Sequence, residues 1–317
     1  MADVAVEAAI TDVYSELFAG EVTPFINATA TYTVNGGSRM LPEVANSMHS
    51  ANLSHVSLPA LNHAASQTIA GLLQVPAAMV TSGASGAIAL ASAACCVGTD
   101  PELMQAIPDL SGCHRNQFLV DSNLPTGYDQ AGRLCGATRI EVSSLPEMEA
   151  ALTGGRVAFV LLMADRFSPP SEVTWLTLAE VAPLAHAHGA VVVVDAAADF
   201  PLIPNPYLAL GADLVVHSCG KILRGPQGGG LLLGADPELV KAAAAHGSPN
   251  HAFGRPLKVG REISVGVVAA VKHWIEVRDI EAEYAEWRGW WRHVDTVLAQ
   301  LPGVTTEEGP PVTADSN

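Results

Sequence analysis

The stretch "HSCGKILRGPQGGG" at residues 217–230 sets Lys221 one residue past a glycine, just after the apolar run "ADLVV". An ammonium is costly at the end of a buried strand, and burial lowers its pKa toward a usable nucleophilic amine. The alternative is a lysine whose stem follows apolar surface while its charge stays in water. Asp195 raises the same question, because it closes the run "VVVVD". A carboxylate behind four valines requires a partner with a proton to give, unless it caps a helix. The third stretch, "TSGASGA" at 81–87, stands between an apolar strand and a helical pattern. Its glycines let backbone approach a ligand, Ser82 and Ser85 offer hydroxyls, and a helix start attracts phosphate. A plain capping turn reads the same way.

The elements around these residues alternate. From about residue 61, helical patterns such as "NHAASQTIAGLLQV", "GAIALASAACC", "YDQAGRLCG" and "TLAEVAPLAHAHG" separate short apolar runs. Of those runs, "AAMVT", "QFLVD", "TRIEV", "RVAFVLLMA", "AVVVVD" and "ADLVVHS", all but "TRIEV" are continuous rather than alternating. This predicts an α/β, doubly wound fold with a mainly parallel sheet covered by helices on both faces. "GLLLG" follows "ADLVV" with no crossover helix, so it should run antiparallel or lie at the sheet margin. Ligands of such sheets bind beyond the carboxyl ends of the strands, where all three stretches fall. Residues 1–60 read as an amphipathic helix and an irregular arm, 61–255 as the large domain, and 256–317 as C-terminal helices opening a small domain.

Composition narrows the function classes. The chain has 317 residues, 49% apolar and 15% charged, with a formal net charge of -16. That field repels phosphate backbones and argues against nucleic acid. No apolar run reaches the ~18 residues of a membrane span, and the N-terminus lacks the basic region of a signal peptide. The five cysteines, Cys95, Cys96, Cys113, Cys135 and Cys219, form no CxxC and predict a reduced, cytoplasmic protein. No metal site is expected, since His186 and His188 point apart on a helix.

A phosphate-type turn, an aspartate at a strand end and a lysine 26 residues later resemble the order of fold-type I pyridoxal-phosphate enzymes. "INATATYTVNGGSRMLPEV", "GYDQAGRLCGATRIEV", "VVVVDAAAD", "ADLVVHSCGKILRGPQGGGLLLG" and "GRPLKVGREISVGVVAAV" resemble the D-glucosaminate-6-phosphate ammonia-lyase and L-seryl-tRNA selenium transferase-like family. The resemblance covers roughly residues 25–275. It implies pyridoxal 5'-phosphate as cofactor, with Lys221 as the Schiff-base lysine and Asp195 as partner of the ring nitrogen. It assigns Ser82, Gly83, Ala84, Ser85, Ala197 and Ser218 to cofactor binding, and His114 to the position stacked on the ring. Arg39, Arg115, Arg255 and Lys258 are candidates for the substrate carboxylate, each with a surface or salt-bridge role as the alternative. Two features depart from the family. The chain stops about where the small domain should form its sheet, so either it is truncated or the substrate is anchored from elsewhere. Its acidity and missing N-terminal extension argue against a tRNA substrate.

The resemblance implies a lyase that eliminates a β-hydroxyl from a hydroxy amino acid or amino-sugar acid, giving a 2-oxo acid and ammonia. Racemisation or epimerisation is the runner-up and needs a second acid, for which Cys219, His114 and Tyr128 are candidates. A selenium transferase and a non-catalytic relative rank lower. A homodimer or higher assembly is expected, because neighbouring subunits usually complete sites of this fold.

Overall fold

The computed structural model describes residues 13–29, 31–124, 126–164, 176–199 and 201–307. Its sheet has seven strands: β1 (Ala77–Thr81), β2 (Gln117–Asp121), β3 (Thr138–Val142), β4 (Val157–Met163), β5 (Val191–Asp195), β6 (Leu214–Ser218) and β7 (Gly230–Gly234). They lie in the order β1-β7-β6-β5-β4-β2-β3. Strands β3, β2, β4, β5 and β6 are mutually parallel, and β7 runs antiparallel to β6 and β1. The turn at residues 219–229 holds no helix, so the chain returns antiparallel. β7 nevertheless lies one strand in from the edge, with all five residues buried. β1 covers its outer side.

Alternate side chains feed a core on each face of the sheet. Val192, Val194 and Val215 join one with Ile69, Leu73 and Val160. Val193, Leu214 and Val216 join the other with Phe118, Phe159 and Leu232. The described residues include eight longer helices: α1 (Pro42–Ala51), α2 (Leu58–Leu73), α3 (Gly83–Val97), α4 (Leu145–Thr153), α5 (Leu178–Ala187), α6 (Pro237–His246), α7 (Arg261–Glu276) and α8 (Ile280–Leu298). Their starts follow local chemistry. Thr177 and Glu180 form a capping box at α5, and the Asp236 carboxylate accepts from Glu238 N–H at α6. α3 buries ten of its fifteen residues, and its run of alanines lets it pack closely.

Several sequence expectations change. "YDQAGRLCG" forms a 3-10 turn at Tyr128–Arg133 rather than an α-helix. Gly132 sets that turn against the Phe118 ring, where a Cβ would stand 3.0 Å from the nearest ring carbon. The arm is less irregular than its sequence, since α1 docks Leu41 and Val44 against Ala270 of α7. α7 lays Val267 and Val271 into the main core. α8 buries no residue. Of the N-terminal helix expected over 1–18, residues 13–18 are helical and the earlier ones lie outside the described residues.

Candidate active site

The parallel strands end together. Thr81 of β1 and Ser218 of β6 both pair with Gly230, and Asp195 of β5 pairs with Val216 and with Met163 of β4. A cavity of about 780 Å³ opens at this edge, within the range of small-molecule sites. A glycine is required at 230, because a Cβ there would meet the Gly83 carbonyl carbon at 2.3 Å. That close approach brings the start of α3 beside Ser218. Gly83 itself has a φ of +69, which turns strand into helix.

Lys221 follows β6 in a turn closed by Arg224 N–H to Lys221 O at 3.0 Å and Gly225 N–H to Cys219 O at 2.8 Å. Burial lowers the pKa of its amine, and the charge of Asp195 works against that shift. The Tyr128 ring centroid stands 5.9 Å from Lys221 Nζ. Asp195 is 4% exposed, and its Oδ1 accepts the Ala197 N–H at 3.0 Å. Burial raises its pKa, opposed first by that N–H and then by Lys221. A buried carboxylate held this way is suited to a ligand that brings a positive charge.

Beside them the Ser82 hydroxyl is buried and has no partner within the protein. It stands at the start of α3 with Gly83, Ala84 and Ser85, all lining the cavity. An orphan donor at a helix N-terminus is fitted to an anion. Beneath the turn after β5, His217 donates from Nδ1 to Asp199 O at 3.2 Å. Burial pushes its pKa down to about 4, so the imidazole is neutral. The Tyr207 hydroxyl donates to the Asp199 carboxylate, which also lines the cavity.

The cavity gathers Ser82, Gly83, Ala84, Ser85, Asp195, Ala197, Ser218, Lys221 and Lys258 from the residues singled out in the sequence. Four others lie elsewhere. His114 is exposed and precedes β2, at the amino edge of the sheet, where its Nε2 stands 3.7 Å from the Cβ position of Gly155. Arg115 is beside it, donating to Val157 O and His188 O at 2.7 Å each. Those bonds tie the start of β4 to the end of α5, and Arg115 is not among the residues lining the cavity. Arg39 and Arg255 are absent from the cavity lining, and the Arg39 carbonyl accepts from Arg224 Nε at 3.4 Å. Cys219 is buried in the core with its thiol pKa raised by burial. Of the three candidate second acids, Tyr128 alone lines the cavity. Sequence reasoning missed Thr31, Thr33, Thr126, Asp199 and Gln227. Their one signal was position, after a strand or in the glycine-punctuated arm.

Such a site suits a protein that holds an aldehyde by an amine and a phosphate by a helix start, which is the pyridoxal-phosphate class. A family model described as Cys/Met metabolism PLP-dependent enzyme matches residues 137–261. A 5'-C-glycyluridine monooxygenase-decarboxylase from Streptomyces sp is 29% identical over 294 residues, 90% of this chain and 71% of that protein. The D-glucosaminate-6-phosphate ammonia lyase of Salmonella typhimurium is 27% identical over 259 residues, 78% of this chain and 67% of that protein. A solved D-glucosaminate-6-phosphate ammonia-lyase has the same fold, with a TM-score of 0.78 at 24% identity over 91% of this chain and 76% of that one. The chain is thus similar to pyridoxal-phosphate-dependent enzymes, an ammonia lyase among them, and shares the fold of that solved structure. Its residues fit the cofactor, since the orphaned Ser82 hydroxyl, the buried Asp195 and the lowered Lys221 amine each lack what that group would bring.

Proposed function

We propose that the protein is an ammonia-lyase that removes a β-hydroxyl from a hydroxylated amino acid, an amino-sugar acid of the D-glucosaminate type, giving a 2-oxo acid and ammonia. The observation that carries this reading is the pairing of Lys221 with buried Asp195 in one cavity. When bound, pyridoxal phosphate supplies an electron sink for the pair left at Cα as the substrate's α-proton departs. Lys221 Nζ would hold the cofactor's aldehyde carbon, and its amine, with a pKa lowered by burial, is the base for the α-proton. Asp195 holds a proton at the ring nitrogen through its charge. Ser82, the backbone of Gly83 to Ser85 and Ser218 hold the phosphate. Tyr128, on the cavity wall with its ring centroid 5.9 Å from Lys221 Nζ, would stand beside the cofactor, where His114 does not reach. Lys258, exposed at the cavity rim, faces the substrate's anionic group.

The similarity to a monooxygenase-decarboxylase over 90% of the chain favours a second reading, in which the carboxylate leaves and dioxygen is consumed. Racemisation would use Tyr128 as the acid opposite Lys221. A homodimer is supported by apolar side chains left exposed on the arm and on α8, among them Phe25 (65%), Ile26 (90%) and Trp290 (59%). Five unpaired cysteines support a reducing, cytoplasmic setting. No described helix is long and apolar enough to cross a membrane.

The test incubates the holoenzyme with D- and L-amino acids, with and without β-hydroxyls, in deuterated water. Ammonia and 2-oxo acid released from hydroxylated members alone is the expected result. Carbon dioxide with oxygen uptake selects the second reading. Deuterium at an inverted Cα without ammonia overturns the lyase in favour of a racemase.

A further inference from the structure

We infer that Thr31 and Thr33 are the specificity-determining residues of this cavity, the hydroxyls that read the substrate's hydroxylated chain; the kind of substrate rests on the lyase reading. Both residues line the cavity, and they come from the arm, which supplies none of the residues assigned to the cofactor. Tyr32 and Val34, their neighbours in the chain, do not line it. A threonine hydroxyl donates and accepts, as the hydroxyls of an amino-sugar acid do, so either can satisfy the other.

The arm reaches the cavity by bonds to its own backbone. Ser38 N–H donates to Gly220 O at 2.9 Å, and Leu41 N–H donates to Arg224 O at 3.1 Å. The Gln227 side chain donates to Thr33 O at 3.2 Å, and Arg224 Nε donates to Arg39 O at 3.4 Å. These bonds bracket Lys221 on both sides. At the centre, Gly37 has a φ of +72, and a Cβ there would stand 2.5 Å from Gly220 O. Because no bond of the clamp uses the side chains at 31 and 33, those can change while the arm stays in register with Lys221. That freedom separates a specificity position from a structural one. Lys258, on the same cavity, adds a cation for the substrate's carboxylate.

The test titrates holoenzyme variants Thr31→Val, Thr33→Val and the double variant with D-glucosaminate, serine and alanine. Binding is read from the change in the cofactor's visible absorption, so no turnover is needed. A lost neutral hydrogen bond weakens binding by roughly 2- to 10-fold per hydroxyl. D-glucosaminate binding should therefore weaken by about that factor in each single variant and by more in the double, with alanine unchanged. Gly37→Ala, which strains the turn and presses on Gly220, should lose the same selectivity with both threonines present. The unshifted visible band of the Thr variants serves as the check on folding. Equal weakening for alanine and D-glucosaminate, no change for either, or a wild type that binds none of the three would overturn the inference. A wild type that binds D-glucosaminate selectively but releases no ammonia sinks the lyase reading alone.

Discussion

Arg115 and Lys221 are both cations at strand ends, and they stand at opposite edges of one sheet. Arg115 spends its guanidinium on two backbone carbonyls at 2.7 Å, one at the start of β4 and one at the end of α5. Lys221 reaches no protein acceptor among the hydrogen bonds of the described residues; it meets the charge of Asp195 and the face of Tyr128 instead. A similar difference separates His114, exposed at the amino edge, from Ser82, buried without a partner at the carboxyl edge. Polar groups that fold a protein are satisfied within it, whereas those that hold a ligand wait for one. The edge of the sheet decides which kind a residue becomes.

The largest expected effect comes from removing Lys221. Lys221→Ala should lose the visible cofactor band and reduce turnover on the order of 10³-fold or more, while the melting temperature without cofactor holds or rises. Arg115→Met should do the reverse. It strips two charge-assisted bonds from partly buried carbonyls, costing about 2 kcal/mol or more of stability, and leaves kcat/KM of the folded enzyme near wild type. Calorimetry beside steady-state kinetics reads both, and an active Lys221→Ala enzyme would defeat the comparison.

Asp195 sharpens it through pH. Its folded pKa is raised by burial, so the stability it contributes is present below its unfolded pKa, near 3.9, and is lost as pH rises through the folded value. Without cofactor, Asp195→Asn should therefore be more stable than wild type at pH 7 and no more stable at pH 3. The gain should be about 1–3 kcal/mol, the usual penalty on a buried polar group short of partners. With cofactor, the variant should lose turnover, because an amide cannot hold the proton at the ring nitrogen. Equal stability of the two proteins across this range would show that the carboxylate is already compensated. The smallest effect belongs to His114→Ala, which should leave the cofactor band and kcat/KM within about twofold of wild type. A shift of the band would return His114 to the site.

The continuous apolar runs and the helical patterns between them were enough to specify a parallel α/β sheet, because a strand buried on both faces has no polar side to alternate. Lys221, Asp195 and the serine-glycine turn were legible for a similar local reason: each puts a costly or permissive residue at the end of such a run. Even the misplacement of His114 was readable, since it precedes "QFLVD" and a parallel sheet binds its ligands where strands end. Tyr128 follows the same strand and so falls at the right edge. The strand order, with β7 inserted between β6 and β1, came only from the folded chain. So did the arm's place beside Lys221, because all four bonds that hold it use the arm's main chain, which leaves no mark on the arm's residue types beyond the glycines that permit the approach.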